Sequence, residues 1–326
     1  MIPLAEPVGH ERIRTLLREQ ARKVAGGSDQ GLHHAWLFSG PTGVGKHVTA
    51  RWWASLLQCD FVGQCHPPCE SCRLVAGGVH PDVVLTARAP QKSSIGIDDS
   101  RAFARSLSLR PTRRGPRVGI IRDADAMTVD AQNALLKLLE EPPGSCVLVL
   151  VADNASAMLA TVRSRCRHLP FGALDESDVA SVLRTLAWEE GQAQAAAACS
   201  RGSVSRALAY DAEGLAEREA VLLAFEGLMD GKVEIDAMLQ TMMARKESGY
   251  ALGDLLEWQL AKVERSLGHV RHEPSPDLAA MLERAGGRDS RALLEHASRI
   301  EWTISALDRN ANARLVIRDL LANVRA

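Results

Sequence analysis

Three glycines and a lysine form the segment of the chain that is best suited to chemistry. The run GPTGVGKH places Gly40, Gly43, Gly45 and Lys46 between an apolar segment and a stretch with helical spacing. Backbone amides freed by glycine, together with a lysine ammonium at a helix N-terminus, can cradle phosphate groups, so the run predicts a phosphate-binding loop. Such a loop normally continues with Ser or Thr, whose hydroxyl binds the magnesium ion of the nucleotide. This chain has His47 there, so nucleotide binding and hydrolysis become separate questions.

Hydrolysis also needs an acidic pair after a second strand, in which Asp holds magnesium and Glu orients the attacking water. The candidate segment is VGIIRDAD, and its register is ambiguous. If Asp123 is the metal ligand, the water-orienting position is Ala124; if Arg122 is at the metal position, a cation replaces the ligand. In each register, one residue that hydrolysis requires is missing. The sequence therefore predicts a site that does not hydrolyse nucleotide at a useful rate, and it leaves open whether ATP or ADP binds.

Four cysteines lie within fourteen positions and predict a metal site. They are Cys59, Cys65, Cys69 and Cys72, and the last two form a Cys-x-x-Cys pair. In a reducing compartment, this clustering favours metal binding over disulfide formation, and the short pair is typical of tetrahedral structural zinc. Four thiolates close the coordination sphere and leave no position for a reacting water. We therefore expect Zn²⁺ to stabilise an insertion at about residues 59–72 and to have no catalytic role.

Alternating strand and helix patterns position these residues. Apolar runs at 35–39, 83–85, 118–121 and 146–152 predict buried strands. Helical patterns cover 7–25 and about 98–106, and a further helix is predicted to begin at Thr128 or Asp130 and to end at Pro142 and Pro143. This alternation indicates a parallel sheet with the glycine loop at the carboxyl end of its first strand. Beyond Leu169 the strand patterns stop, and the rest of the chain has helical patterns.

The bulk composition excludes several classes of protein. The 326 residues are 46% hydrophobic and 24% charged, which is typical of a globular protein with two or three domains. A net charge of −1 argues against an extended nucleic-acid coat, and 6 Trp, 2 Tyr and 5 Phe provide no stacking platform for single strands. No apolar stretch reaches the roughly 18 residues of a membrane span. We therefore expect a cytoplasmic protein without membrane contact.

Several motifs, taken in order, resemble those of the bacterial clamp-loader subunits of the AAA+ superfamily. They are GPTGVGK, the cysteine segment ending in CESCRL and followed by GVHPD, NALLKLLEEPP, and VRSRC. The resemblance is clear over about residues 30–210, and the segment from Asn310 to Leu315 is more weakly similar to the family's collar domain. It implies an α/β plus all-α fold. The expected parts are an AAA+ P-loop domain at 1–170, a helical lid at 171–210 and a helical collar, or oligomerisation, domain at 211–326.

The resemblance also implies roles for three further residues. Arg165, in the triplet Ser-Arg-Cys, would be an arginine finger that acts in trans on the ATP of a neighbouring subunit. Asn154 would be the sensor-1 residue, and Arg206, on a lid helix, would be the sensor-2 residue that reaches a phosphate. From spacing alone, Arg165 could instead be a surface charge, Asn154 a loop cap and Arg206 a solvated helix arginine. The family's usual cysteine spacing would make His66 the second metal ligand, so either Cys65 or His66 binds the metal.

The missing magnesium ligands make the chain most similar to the non-motor, delta-prime class of this family. The motor classes, gamma and tau, keep the Ser or Thr and the Asp-Glu pair that this chain lacks. The resemblance implies a subunit of the DNA polymerase III clamp loader that assembles with gamma/tau ATPase subunits and a delta subunit. That complex loads the sliding clamp on primer-template DNA, and the subunit has no ATPase or polymerase activity of its own. Two alternatives remain: an active gamma/tau-like ATPase subunit, and a nucleic-acid-binding zinc module.

Overall fold

The computed structural model describes residues 4–26, 33–66, 68–113, 115–244, 248–268, 278–279, 281–282, 289–308 and 311–325. Backbone contacts divide the chain into two compact units. Unit 1 comprises Met1–Val182 and Gly202–Ser205, and unit 2 comprises Leu183–Arg201 and Arg206–Ala326. This partition does not test the expected boundaries of the P-loop domain, lid and collar, which stay a prediction. Asn310, from the collar motif, lies outside the described residues.

Unit 1 is built on a parallel sheet of five strands in the order β2-β3-β4-β1-β5. The strands are β1 Ala35–Ser39, β2 Val83–Thr86, β3 Arg117–Ile121, β4 Cys146–Ala152 and β5 Arg167–Pro170. The four apolar runs are therefore confirmed as strands, and β1, β3 and β4 are buried along their whole length. Strand β5 was not predicted from the sequence because its residues are mostly polar, and they are mostly exposed at the edge of the sheet.

Helices pack on both faces of the sheet, and successive strand residues point into two different cores. The first seven helices are α1 Glu11–Ala25, α2 Lys46–Gln58, α3 Glu70–Ala76, α4 Ile97–Leu107, α5 Val129–Glu140, α6 Ala160–Arg163 and α7 Glu176–Thr185. Val147, Val149 and Val151 belong to the core with α1 and α2, whereas Leu148 and Leu150 belong to the core with α4 and α5. Of the two predicted caps for α5, Thr128 is the one used: its hydroxyl accepts a 3.2 Å hydrogen bond from the Ala131 amide.

All the secondary structure in the described residues of unit 2 is helical. Its helices are α8 Glu190–Cys199, α9 Val204–Ala207, whose last two residues belong to this unit, α10 Ala212–Met229, α11 Ile235–Ala244, α12 Ser248–Ser266, α13 Ser290–Asp308 and α14 Ala313–Arg325. One hydrophobic core, which includes Phe225, Trp258 and Ile300, joins α10 to α14. Together with unit 1, this confirms the α/β plus all-α class. None of the described helices is long and apolar enough to cross a membrane.

Candidate functional site

The glycine loop connects the end of β1 to the first residue of α2, as predicted. Gly40, Gly43 and Gly45 all have positive φ angles, of 144°, 80° and 94°. At Gly40 the packing adds a second requirement, because a Cβ atom there would lie 2.1 Å from the carbonyl oxygen of Phe171. The loop therefore needs glycine for its path, and that path delivers Lys46 to the N-terminus of α2.

Lys46 is buried and fully engaged within the loop. Its side chain is 5% exposed, and Nζ donates to the carbonyl oxygens of Gly40 and Pro41, both at 2.6 Å. The third partner of Nζ is Asp153 Oδ1 at 2.7 Å, and the other carboxylate oxygen of Asp153 accepts from the Thr42 hydroxyl at 2.5 Å. The sequence analysis did not identify Asp153. Its position directly after β4 was an available signal, because β4 pairs with β1 and their carboxyl ends meet at the loop.

His47 is close enough to the ambiguous acidic segment for the charges of Arg122 and Asp123 to act on its pKa. Burial lowers the pKa of His47, the positive charges of Arg122 and Arg51 lower it further, and Asp123 opposes them. The imidazole is therefore uncharged at neutral pH. Arg122 Nε lies 3.4 Å from Asp123 Oδ2, so the two side chains form an ion pair. The chain thus has an imidazole directly after Lys46 and, in one of the two registers, a guanidinium at the acidic position, where a magnesium site needs oxygen ligands.

Asn154 caps a short turn after β4. Its Oδ1 accepts a 2.8 Å hydrogen bond from the Ser156 amide, which is the loop-cap alternative that spacing allowed. Asp125 Oδ2 holds the same segment by accepting from the backbone amides of Asp153 at 2.9 Å and Asn154 at 3.0 Å. The sensor-1 role of Asn154 stays a prediction.

Arg206 belongs to unit 2 and has partners there. Its Nη2 donates to Asp254 Oδ1 at 2.7 Å, and its Nε donates to the Tyr210 hydroxyl at 3.0 Å. The side chain is 12% exposed, so it is not the solvated helix arginine that spacing alone allowed. Its predicted contact with a nucleotide phosphate stays a prediction.

Arg165 lies in the turn between α6 and β5, at the surface of unit 1. Nη2 lies 2.5 Å from Oε1 of Glu140, the last residue of α5, and Nη1 donates to the Thr161 carbonyl at 2.9 Å. The two charged side chains are 36% and 50% exposed. An ion pair this open to water contributes at most about 1 kcal/mol, so the guanidinium can leave Glu140 at little cost. The neighbouring thiol, Cys166, is kept protonated by burial, which raises its pKa to about 12.

The four predicted cysteines come together into one cluster. All their sulfur atoms lie within 4.8 Å of one another, with Sγ–Sγ distances of 3.6 Å for Cys59–Cys65, 3.6 Å for Cys65–Cys72 and 3.9 Å for Cys59–Cys69. A tetrahedral zinc ion with Zn–S bonds of about 2.3 Å requires sulfur atoms about 3.8 Å apart, so the cluster fits the ion. Cys65 belongs to this group, whereas His66 is exposed and lies outside it.

Helix ends supply two of these ligands, because Cys59 directly follows α2 and Cys69 directly precedes α3. Burial raises the pKa of the Cys59 and Cys72 thiols, so a bound cation would have to displace their protons. Helix α3 itself was not predicted from the sequence.

Comparison with known proteins finds relatives that are described as subunits of DNA polymerase III. Residues 17–175 match the sequence profile of the family described as DNA polymerase III, delta subunit. The chain is 38% identical over 136 residues to the DNA polymerase III subunit delta' of Pseudomonas aeruginosa, a match that covers 41% of each chain. It is 29% identical over 281 residues to the DNA polymerase III subunit tau of Escherichia coli, covering 80% of this chain and 42% of that one.

Among solved structures, a DNA polymerase III gamma subunit-related protein from Thermotoga maritima aligns with 95% of this chain and 98% of its own. The sequence identity is 20% and the TM-score is 0.41. The matched segment spans less than half the length of the Pseudomonas and Escherichia relatives.

Proposed function

We propose that the chain is a non-motor, delta-prime-like subunit of the clamp loader of DNA polymerase III, because residues 17–175 match the family described as DNA polymerase III, delta subunit. In this proposal it assembles in the cytoplasm with gamma/tau-type ATPase subunits and a delta subunit. The assembly loads the sliding clamp on primed DNA. The chain contributes no polymerase activity and no ATP turnover of its own.

The replacement of magnesium ligands carries the non-motor part of the proposal. His47 follows the phosphate-binding lysine, and the positive charge of Arg122 acts on that imidazole. A divalent cation bound there would meet a guanidinium and a neutral ring nitrogen in place of hydroxyl and carboxylate oxygens. The glycines keep the positive φ angles of the loop and Lys46 begins α2, so in this proposal the site is a degenerate nucleotide site that can hold ATP or ADP without hydrolysing it.

Arg165 is the residue through which the chain would act on chemistry in another subunit. It lies at the surface, and its ion pair with Glu140 is exposed and weak. A guanidinium presented to the γ-phosphate of a neighbour's ATP stabilises the charge that develops during phosphoryl transfer. We propose that assembly replaces the contact of Arg165 with Glu140 by a contact with that phosphate.

The cysteine cluster would hold structural Zn²⁺. The fit of the four sulfur atoms to a tetrahedron supports this role, and the closed ligand set leaves no place for a reacting water. In this proposal the ion joins the end of α2 to the start of α3.

The competing proposal is an active ATPase subunit. Relatives described as gamma/tau favour it, including one from Mycobacterium bovis that is 33% identical over 162 residues, 49% of this chain and 28% of that one. The presence of His47 and Arg122 in place of magnesium ligands argues against an active ATPase subunit. The two proposals differ in whether the isolated chain hydrolyses ATP.

Reconstitution tests the proposed function. The chain is mixed with the gamma/tau and delta subunits and the sliding clamp of the same organism, and clamp loading on primed circular DNA is measured. We expect efficient loading only when the chain is present. Equal loading in an otherwise identical mixture without the chain would contradict the proposal.

A further inference from the structure

The phosphate loop of this chain already contains an anion, the carboxylate of Asp153. A lysine ammonium has three hydrogen atoms to donate, and the three partners of Lys46 are the Gly40 carbonyl, the Pro41 carbonyl and Asp153 Oδ1. No donor of Lys46 is left for a phosphate oxygen. The second carboxylate oxygen accepts from the Thr42 hydroxyl, so the same group ties down a side chain at the tip of the loop.

The fold holds this carboxylate in place from two directions. Parallel pairing of β1 with β4 sets Ser39 opposite Ala152, so Asp153 is the next residue beyond the pair and adjoins the start of the loop. Asp125 fixes the backbone beyond β4 by accepting from the amides of Asp153 and Asn154. Asp153 is therefore a positioned group, although its side chain is 52% exposed.

A nucleotide phosphate and the Asp153 carboxylate would need the same donor. A phosphate group that binds Lys46 must displace Asp153 or lie beside its negative charge, and like charges at such short range repel. We propose that Asp153 is an internal counter-ion of the phosphate loop, which competes with nucleotide phosphates for Lys46 and so weakens nucleotide binding at this site. The proposal depends on the proposed function only in taking a nucleoside di- or triphosphate as the competing anion.

Substitution of Asp153 in the full-length chain tests this proposal. Asp153→Asn keeps the shape of the side chain and removes its charge, and Asp153→Ser is a second variant in case the amide disturbs folding. Equilibrium affinities for ATP and ADP are measured by calorimetry, with circular dichroism to verify folding. We expect both variants to bind at least one of the nucleotides about tenfold more tightly than the wild type, because the competing charge is gone.

Three controls separate this effect from others. Asp153→Glu keeps the charge, so it should not show the gain. Glu19→Gln removes one charge from the exposed surface of α1 and should leave the affinity unchanged. Lys46→Met combined with Asp153→Asn should lose the gain, because the proposed competition acts through Lys46.

The proposal would be overturned if the folded Asp153→Asn and Asp153→Ser variants bound ATP and ADP with the same affinities as the wild type. It would also be overturned if neither the wild type nor these variants bound either nucleotide measurably. An equal gain in Glu19→Gln would also overturn it, because the effect would then be one of net charge. Failure of the proposed function would be visible separately, as magnesium-dependent ATP turnover by the wild-type chain, which the affinity comparison does not use.

Discussion

The surface position of Arg165 is compatible with the trans-acting role that we propose for it. The guanidinium is anchored by the Thr161 carbonyl and by Glu140, and only the latter carries charge. A nucleotide phosphate held by a neighbouring subunit carries more negative charge than one carboxylate. It can therefore replace Glu140 as the partner of the planar guanidinium fork.

Arg165→Ala should depress ATP hydrolysis in the reconstituted clamp loader. At the one nucleotide site that Arg165 serves, we expect a loss of about 10³-fold or more, because the guanidinium acts mainly on charge in the transition state. Turnover is measured by phosphate release under single-turnover conditions, and assembly is measured by size-exclusion chromatography, where no change is expected.

Arg163→Ala is the matched control, since it removes an exposed arginine two residues away. Arg165→Lys should restore little activity because the ammonium cannot make the bidentate contact. Turnover by the Arg165→Ala assembly equal to that of the wild type would remove Arg165 from the site.

At the level of single residues, the sequence predicts which side chains can bind a ligand better than it predicts which other residues they contact. The glycines, Lys46 and the cysteines could be identified because their chemistry is set by residue type and local spacing. Asp153 was not identified, although its position directly after β4 was a signal, because its role depends on the pairing of β1 with β4, which joins residues more than a hundred positions apart. For the same reason, spacing could not exclude His66, whereas the three-dimensional cluster includes Cys65.

With Zn²⁺ bound as proposed, the cysteine segment is the element whose stability depends most directly on a ligand. Helix α3, which begins directly after Cys69 and extends beyond the predicted insertion, has seven residues, too few to be stable alone. The bound ion would therefore supply a cross-link that the short helix cannot replace.

Cys65→Ser should lower the zinc content of the purified chain, whereas His66→Ala should leave it at about one ion per chain. The reason is that a hydroxyl is a poor substitute for a thiolate, and His66 lies outside the sulfur cluster. Zinc is measured by mass spectrometry of the metal and by a chromogenic chelator. The reverse result, with zinc lost in His66→Ala and kept in Cys65→Ser, would assign the second ligand to His66.

Chelation also separates the structural role from that of a nucleic-acid-binding zinc module. We expect zinc removal to increase hydrogen exchange in α3 and to leave the DNA affinity of the assembled loader largely unchanged. A loss of DNA binding in parallel with the loss of zinc would favour the module.

The hydrophobic pattern of the sequence predicted the type of an element correctly where that element is buried on two faces. The strands β1, β3 and β4 could be predicted because continuous apolar runs need a core on each side. The edge strand β5 and the short helix α3 could not, since the first is mostly polar and exposed and the second has only seven residues.

On the scale of the whole molecule, the chain combines a phosphate-loop unit with a helical unit that has its own core. The sequence indicated this change of architecture because strand patterns end near Leu169. The clamp-loader role is an inference from relatives that the chain matches over less than half of their length. In the proposed role, ATP hydrolysis occurs in a neighbouring subunit and not at the loop from Gly40 to His47.

The most direct test of that claim is ATP hydrolysis by the purified chain alone in the presence of Mg²⁺. We expect a phosphate-release rate no higher than that of a Lys46→Met variant purified in the same way. We also expect turnover to appear when the gamma/tau partner is added. Magnesium-dependent turnover by the wild-type chain alone, abolished by Lys46→Met, would contradict the account.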